Sequence, residues 1–198
     1  SVKNIVLNGS FVNESNGFMN TGYQLSNQIN AYTRLLTVNY YDNYNYKSLL
    51  TDTIKSKLEY AALDGYAKKY VNAIPEISAK GLLTGTRVFM LEEPAKEIIT
   101  AMYYDNRGRL AQSKATNHLG GDEKDYFLYT FTGKIKKHQH IHSASGKATI
   151  TEVYENFYDN AEKLTKTTHS LNGLAPVTLA ENTYDNIGRL SSKSQHVA

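Results

Sequence analysis

"TYDNIGRLSS" (183–192) decides the reading of this chain, because the sequence nearly repeats it three times. "YYDNRGRLAQ" stands at 103–112, "FYDNAEKLTK" at 157–166 and a blurred "YTFTGKIKKH" at 129–138. Aligned on Tyr104, Tyr129, Tyr158 and Tyr184, the copies are 25, 29 and 26 residues apart. A period in the twenties is the mark of one supersecondary unit repeated along the chain. A fifth, degraded copy is expected at "YYDNYNYKSLL" (40–50), separated from the rest by a long insertion.

The motif reads as a hairpin turn. Asp185 suits the first position of a type I turn, where its carboxylate accepts bonds from backbone N–H groups just ahead. Gly188 falls three residues later, where the chain must pass through left-handed backbone before entering the next strand. Tyr184 closes the incoming strand, and Arg189 and Leu190 open the outgoing one. Tyr104, Asp105, Gly108 and Arg109 repeat the set. Tyr129 and Gly133 keep its aromatic and its glycine, while Tyr158 and Asp159 keep its first two residues. Glu162 stands where a glycine is expected, so it must take a costlier backbone conformation or the turn must change type.

Between the turns lie segments rich in β-branched and aromatic residues, such as "ITAMYY" (99–104), "KIKKHQHIH" (134–142) and "ATITEVYENFY" (148–158). The expected fold class is mainly β: an antiparallel meander of hairpins forming an extended twisted sheet. "TDTIKSKLEYAALDGYAKKYV" (51–71) predicts a short helix capped near Thr51 inside a small irregular insertion near 51–79, interrupted at Gly65. The organisation is then a loosely ordered segment over 1–30, a degraded repeat with its insertion over 31–98, and four hairpin repeats over 99–198. Hydrophobic alternation along 148–158 is imperfect, which leaves the buried face undetermined and points to tyrosine on both faces.

Composition narrows the function classes. There are 16 Tyr, 6 Phe, no Trp and no Cys among 198 residues, which removes disulfides, thiolate nucleophiles and cysteine zinc sites. A net charge of +3, with Lys and Arg scattered, gives no phosphate-tracking arm, so no nucleic-acid partner is expected. No apolar run approaches the length that spans a bilayer, so no membrane insertion is expected, and "SVKNIVLNGS" is not a signal peptide. Phosphate loops, dinucleotide fingerprints and nucleophile elbows are missing from the sequence. The expectation is a non-enzyme without cofactors.

Three features invite chemistry. His138, His140 and His142 alternate along one predicted strand, which puts three imidazoles on one face, a geometry open to Zn²⁺ or Cu²⁺. A solvated strand face is the favoured reading, and no metal is assigned. Asp105, Asp159 and Asp185 occur in consecutive turns with local uses, and are not expected to be paired catalytic acids. The tyrosines support an alternative function: Tyr40, Tyr41, Tyr103 and Tyr126 would serve as flat platforms for a glycan or a partner protein. Cross-strand packing is the favoured use of these rings.

Tyr-Asp followed by Gly-Arg-Leu at this period resembles the bacterial Rhs, or YD-repeat, proteins. "GLLTGTR", "TNHLGG" and "PVTLAENTYDNIGRL" are similar to versions carried by large surface proteins of Gram-negative bacteria. The resemblance covers 80–198 well, 31–50 weakly and 1–30 hardly at all. It implies hairpins in a long spiralling sheet that closes, in the best-understood members, into a shell around a C-terminal toxin or other cargo. It implies a cell-surface or secreted location, with the remainder of the parent protein or its cargo as partner. This chain has four or five repeats, too few for a closed shell, and no recognisable self-cleavage segment or toxin. The implied role is a structural wall segment, with open edges expected to pair edge to edge or dimerise.

Overall fold

A computed structural model describes residues 10–11, 20–24, 35–71, 79–93 and 96–197. Within them, ten strands pair in chain order as one antiparallel meander. These are β3 (Thr37–Asp42), β4 (Ala79–Phe89), β5 (Glu97–Tyr104), β6 (Leu110–Thr116) and β7 (Asp122–Tyr129), then β8 (Ile135–His142), β9 (Ile150–Tyr158), β10 (Leu164–Leu171), β11 (Val177–Tyr184) and β12 (Leu190–Val197). The mainly β, antiparallel hairpin fold expected from the repeat is the fold of the protein. A separate pair, β1 (Ser10–Phe11) with β2 (Tyr23–Gln24), lies within the segment expected to be loosely ordered. The rest of residues 1–30 is outside the described residues, apart from 20–22.

The chain forms two compact units. One comprises Ser1–Glu59 with Val71–Ala101, the other Tyr60–Tyr70 with Met102–Ala198. In the first unit, Tyr40 and Tyr46 stack with ring centres 4.3 Å apart, and Tyr23 stacks on Tyr40 at 5.7 Å. The Tyr46 ring lies so close over Gly85 that a Cβ there would fall 2.3 Å from it, so only glycine fits. Its hydroxyl donates to the Thr84 carbonyl at 3.1 Å. Arg87, buried, forms a two-pronged pair with Glu97 at 2.6 and 2.9 Å. A charge removed from water needs this kind of fork to offset its desolvation.

The expected degraded copy is not a turn of the repeat type. Asp42 takes φ 71° and its carboxylate accepts the Gly81 N–H at 2.6 Å, bridging to β4 rather than closing a tight hairpin. No glycine follows at the position the bulge needs, and the chain instead enters a 3-10 turn over Asn45–Leu49 that delivers Tyr46 to the core. The predicted helix is present as α1 (Asp52–Leu58), with the Thr51 side chain accepting the Ile54 N–H. It is only seven residues long, and Gly65, at φ 82°, takes backbone that a helix cannot continue through.

In the second unit, residues 60–70 run as a strap across one face of the sheet. Gln112, almost fully buried on β6, donates to the Ala61 carbonyl at 2.8 Å and accepts the Ala61 N–H at 3.2 Å, as a neighbouring strand would. The Ala67 N–H donates to the Phe127 carbonyl and the Tyr70 N–H to the Tyr104 carbonyl, both at 2.8 Å. Tyr66 packs on Tyr126 and donates to Gln139 at 2.8 Å, and Tyr60 packs on Tyr103. Two tyrosine pairs thus pack the strap onto this face, while the Tyr66 hydroxyl donates to Gln139 and the Tyr60 hydroxyl accepts the Lys69 N–H.

Candidate functional site

The four repeat turns share one geometry. In the first, the Gly108 N–H donates to the Asp105 carbonyl at 3.0 Å and the Asp105 N–H to the Arg109 carbonyl at 2.8 Å. The Asp105 carboxylate accepts the N–H groups of Arg107 and Arg109 with one oxygen, each at 2.9 Å, and the Arg109 guanidinium with the other at 2.7 Å. The turn at Asp185 reproduces all of these bonds. At Asp159 the carboxylate accepts the Ala161 and Lys163 N–H groups, and at Thr130 a hydroxyl accepts the Lys134 N–H in its place. Glycine fills the left-handed position at 108, 133 and 188. Glu162 adopts it at φ 60°, the costlier of the two solutions open to that copy.

Consecutive turns are joined through the tyrosine that opens each motif. The Tyr129 hydroxyl donates to the Leu110 carbonyl at 2.8 Å, Tyr158 to the Ile135 carbonyl at 2.9 Å and Tyr184 to the Leu164 carbonyl at 2.9 Å. Each acceptor is the first residue of the previous outgoing strand. Over the same rings lie the cations just before those acceptors: Arg109 over Tyr129 at 4.6 Å, Lys134 over Tyr158 at 5.4 Å and Lys163 over Tyr184 at 5.3 Å. One joint, a ring clasped between a cation and a carbonyl, therefore recurs three times along the sheet. Of the residues that sequence reasoning assigned to the repeat turns, Tyr104, Tyr129, Tyr158 and Tyr184 end the incoming strands, and Asp105, Gly108, Arg109, Gly133, Asp159, Asp185, Gly188 and Arg189 lie between those strands and the outgoing ones. Sequence reasoning missed Lys134 and Lys163, although all four copies show a basic residue followed by Leu or Ile: Arg109–Leu110, Lys134–Ile135, Lys163–Leu164 and Arg189–Leu190.

Electrostatics follow the same pattern. Burial pushes the Asp105 carboxyl up, but the Arg109 guanidinium and the N–H groups of Arg109 and Arg107 outweigh it, so its pKa lies below the usual carboxylate range. Asp185 is likewise held low, by the Arg189 side chain first and the turn N–H groups after it. Burial raises the Tyr129 and Tyr158 phenols, which keeps their hydroxyls protonated as donors.

The tyrosines singled out as platforms are mostly inside. Tyr40, Tyr103 and Tyr126 are buried, packed against Tyr46, Tyr60 and Tyr66, so their faces are not offered to a ligand. Tyr41 is 50% exposed. The three alternating histidines do share a face of β8, but their partners are carboxylates on β7. His138 Nε2 and His140 Nδ1 lie 2.8 and 2.9 Å from the same Asp125 oxygen, and His142 Nδ1 lies 2.7 Å from Glu123. Ser113 donates to the second Asp125 oxygen at 2.9 Å. Burial raises the Asp125 pKa, yet the bonds from His138, His140 and Ser113 prevail and hold it low. His138 lies flat on Phe127, with ring centres 4.6 Å apart. His169 sits on Tyr154 and 3.5 Å from Glu152, away from the other three. Among the described residues, no group of three or more His, Asp or Glu side chains is placed to hold a metal ion. The row is a hydrogen-bonded acid–imidazole ladder knitting β6, β7 and β8.

The chain matches no family model and no curated protein. Among the described residues, no helix is long and apolar enough to cross a membrane.

Proposed function

We propose that this chain is a segment of the wall of a larger, exported bacterial repeat protein of the Rhs or YD-repeat kind, enclosing or displaying cargo and performing no catalysis. The observation that carries this reading is the thrice-repeated joint between a tyrosine and the preceding turn's cation and carbonyl. It invests the residues that stand out in the sequence in holding hairpin to hairpin. Each hairpin widens such a sheet by two strand spacings, about 10 Å. A wall built this way grows by adding copies and needs no catalytic centre. Its mechanism is exclusion and presentation.

A glycan array and thermal melts of single variants test this reading. A wall segment retains no glycan, and Tyr158→Ala and Tyr184→Ala act through stability alone, by loss of ring packing and one hydrogen bond. Retention of an oligosaccharide that Tyr41→Ala abolishes without lowering Tm would replace the wall by a binding module.

A further inference from the structure

We infer that the ladder of His138, Asp125, His140, Glu123 and His142 is a proton-binding site, and that a proton taken up there in mild acid tightens the pairing of β7 with β8. The register sets Asp125 opposite His140 and Glu123 opposite His142. Each carboxylate reaches two rings, and His140 reaches both carboxylates. An ionised carboxylate only accepts, so His138 Nε2, His140 Nδ1 and His142 Nδ1 carry the hydrogens of the short contacts. A neutral imidazole has one N–H, and that of His140 is directed at Asp125. Its Nε2 is then a bare lone pair 3.3 Å from Glu123 Oε2. That oxygen is buried and, among the described residues, accepts no hydrogen bond. Two acceptors thus face each other, and a proton added to the ring converts their repulsion into an ion pair.

The surroundings favour the added charge. On the same face, β9 places Glu152 opposite His140 and Tyr154 opposite His138, and β10 brings His169 to 3.5 Å from Glu152. The neutral Ser113 of β6 and Asn117 of the following loop hold Asp125 and Glu123 at 2.9 and 2.8 Å. Strand alternation puts one cation of β8, Lys136, on this face, against Glu123, Asp125 and Glu152, and nearby carboxylates favour a charged ring. His138 lies flat on Phe127, where a ring face attracts a cation. The His140 side chain is 30% exposed, so protons reach it from solvent. Imidazole is the side chain whose ordinary charge change falls between about pH 5 and 8, and in a coupled row the protons belong to the set rather than to one ring. A folded state that binds more protons than the unfolded chain gains stability as pH falls. The gain ends near pH 4, below which Asp125, held low in the fold, loses its own contribution.

On the wall reading, this part of the sheet is held tightest in mildly acid surroundings, but the proton site stands or falls independently of that reading. The test is thermal unfolding of the whole chain at low ionic strength, at pH 7.5 and pH 5.5, followed by circular dichroism. The parent chain should melt about 2–4 °C higher at pH 5.5, the effect of one site that binds its proton roughly tenfold more tightly in the fold. Added salt should shrink the rise by screening these partly exposed charges. His140→Gln and Glu123→Gln should each flatten it, whatever they do to Tm at pH 7.5, because each removes one side of the proton's place. A Tm that is level or lower at pH 5.5 would overturn the inference, as would a rise of full size in both variants, which would put the proton elsewhere. Proton release on urea unfolding of the parent chain, read with a pH indicator in weak buffer at pH 6.5, decides the matter if the variants do not fold. Release supports the site, and its absence would overturn it.

Discussion

Among the four repeat turns Glu162 is the one non-glycine at the left-handed bulge position, and Glu162→Gly isolates what that backbone conformation costs. At φ 60° a side chain bearing Cβ crowds its own carbonyl, at about 1–2 kcal/mol. Glycine removes that cost but gives up roughly 0.4–1 kcal/mol through the greater freedom of its unfolded chain. Glu162 also has contacts to lose: its carboxylate meets the Thr132 hydroxyl and lies 3.6 Å from Lys134 Nζ. Pairs this exposed contribute about 0–1 kcal/mol. The Lys134 contact to the Glu162 carbonyl survives in glycine. Glu162→Ala is the matched control, since it loses the same carboxylate contacts and keeps the Cβ. The Gly variant should therefore exceed the Ala variant by about 1 kcal/mol, or roughly 2–4 °C in Tm for a chain of this size. Thermal melts followed by circular dichroism, with urea unfolding as a second measure, read the difference. An Ala variant as stable as the Gly variant would refute the claim that the third turn is a glycine-type turn filled by the wrong residue.

Three further outcomes follow from the same geometry. A double-mutant cycle on Arg109→Met and Tyr129→Leu, read by urea unfolding, should give a coupling energy of about 0.5–1 kcal/mol, whereas additivity would mean that the cation and the ring act independently. Gln112→Leu should cost about 1–3 kcal/mol, because it removes both hydrogen bonds that Gln112 makes to the Ala61 backbone, and hydrogen exchange should quicken first at Ala67 and Tyr70. Asp105, whose folded pKa is depressed, contributes stability that is fully present above the unfolded value near 4 and is lost as pH falls through the lower folded value. The fall in Tm between about pH 4 and pH 2 should accordingly be shallower in Asp105→Asn than in the parent chain.

Much of the fold was legible because the turns carry their own instructions. Asp105, Gly108, Asp185 and Gly188 name their backbone conformations, and spacing in the twenties leaves room for little besides two strands per copy. The copy at Tyr41 misled because Tyr-Asp was read without its glycine: Asp42 uses its carboxylate on Gly81 instead. Tyrosine hid the core. A residue equally at home buried or wet gives no alternation to read, and only Tyr46 over Gly85 or Tyr66 over Tyr126 shows which rings are inside. The strap over 60–70 was illegible for a related reason. Its attachment runs through backbone groups, two glutamines and two tyrosines, and none of these leaves a periodic trace. The alternation of His138, His140 and His142 was visible, but their partners Asp125 and Glu123 are set by the register of β7 against β8. The cation of the joint was visible in every copy. Its purpose appears only when successive hairpins lie side by side.

The central claim, that these hairpins belong to a longer repetitive wall, is tested most directly by sequencing the encoding gene on both sides of this segment. The account expects further Tyr-Asp hairpins with a basic residue and Leu or Ile after each turn, followed by a non-repetitive tip that serves as cargo. A stop codon soon after Ala198, with an export or lipid-anchor signal close upstream and no further copies, would contradict it.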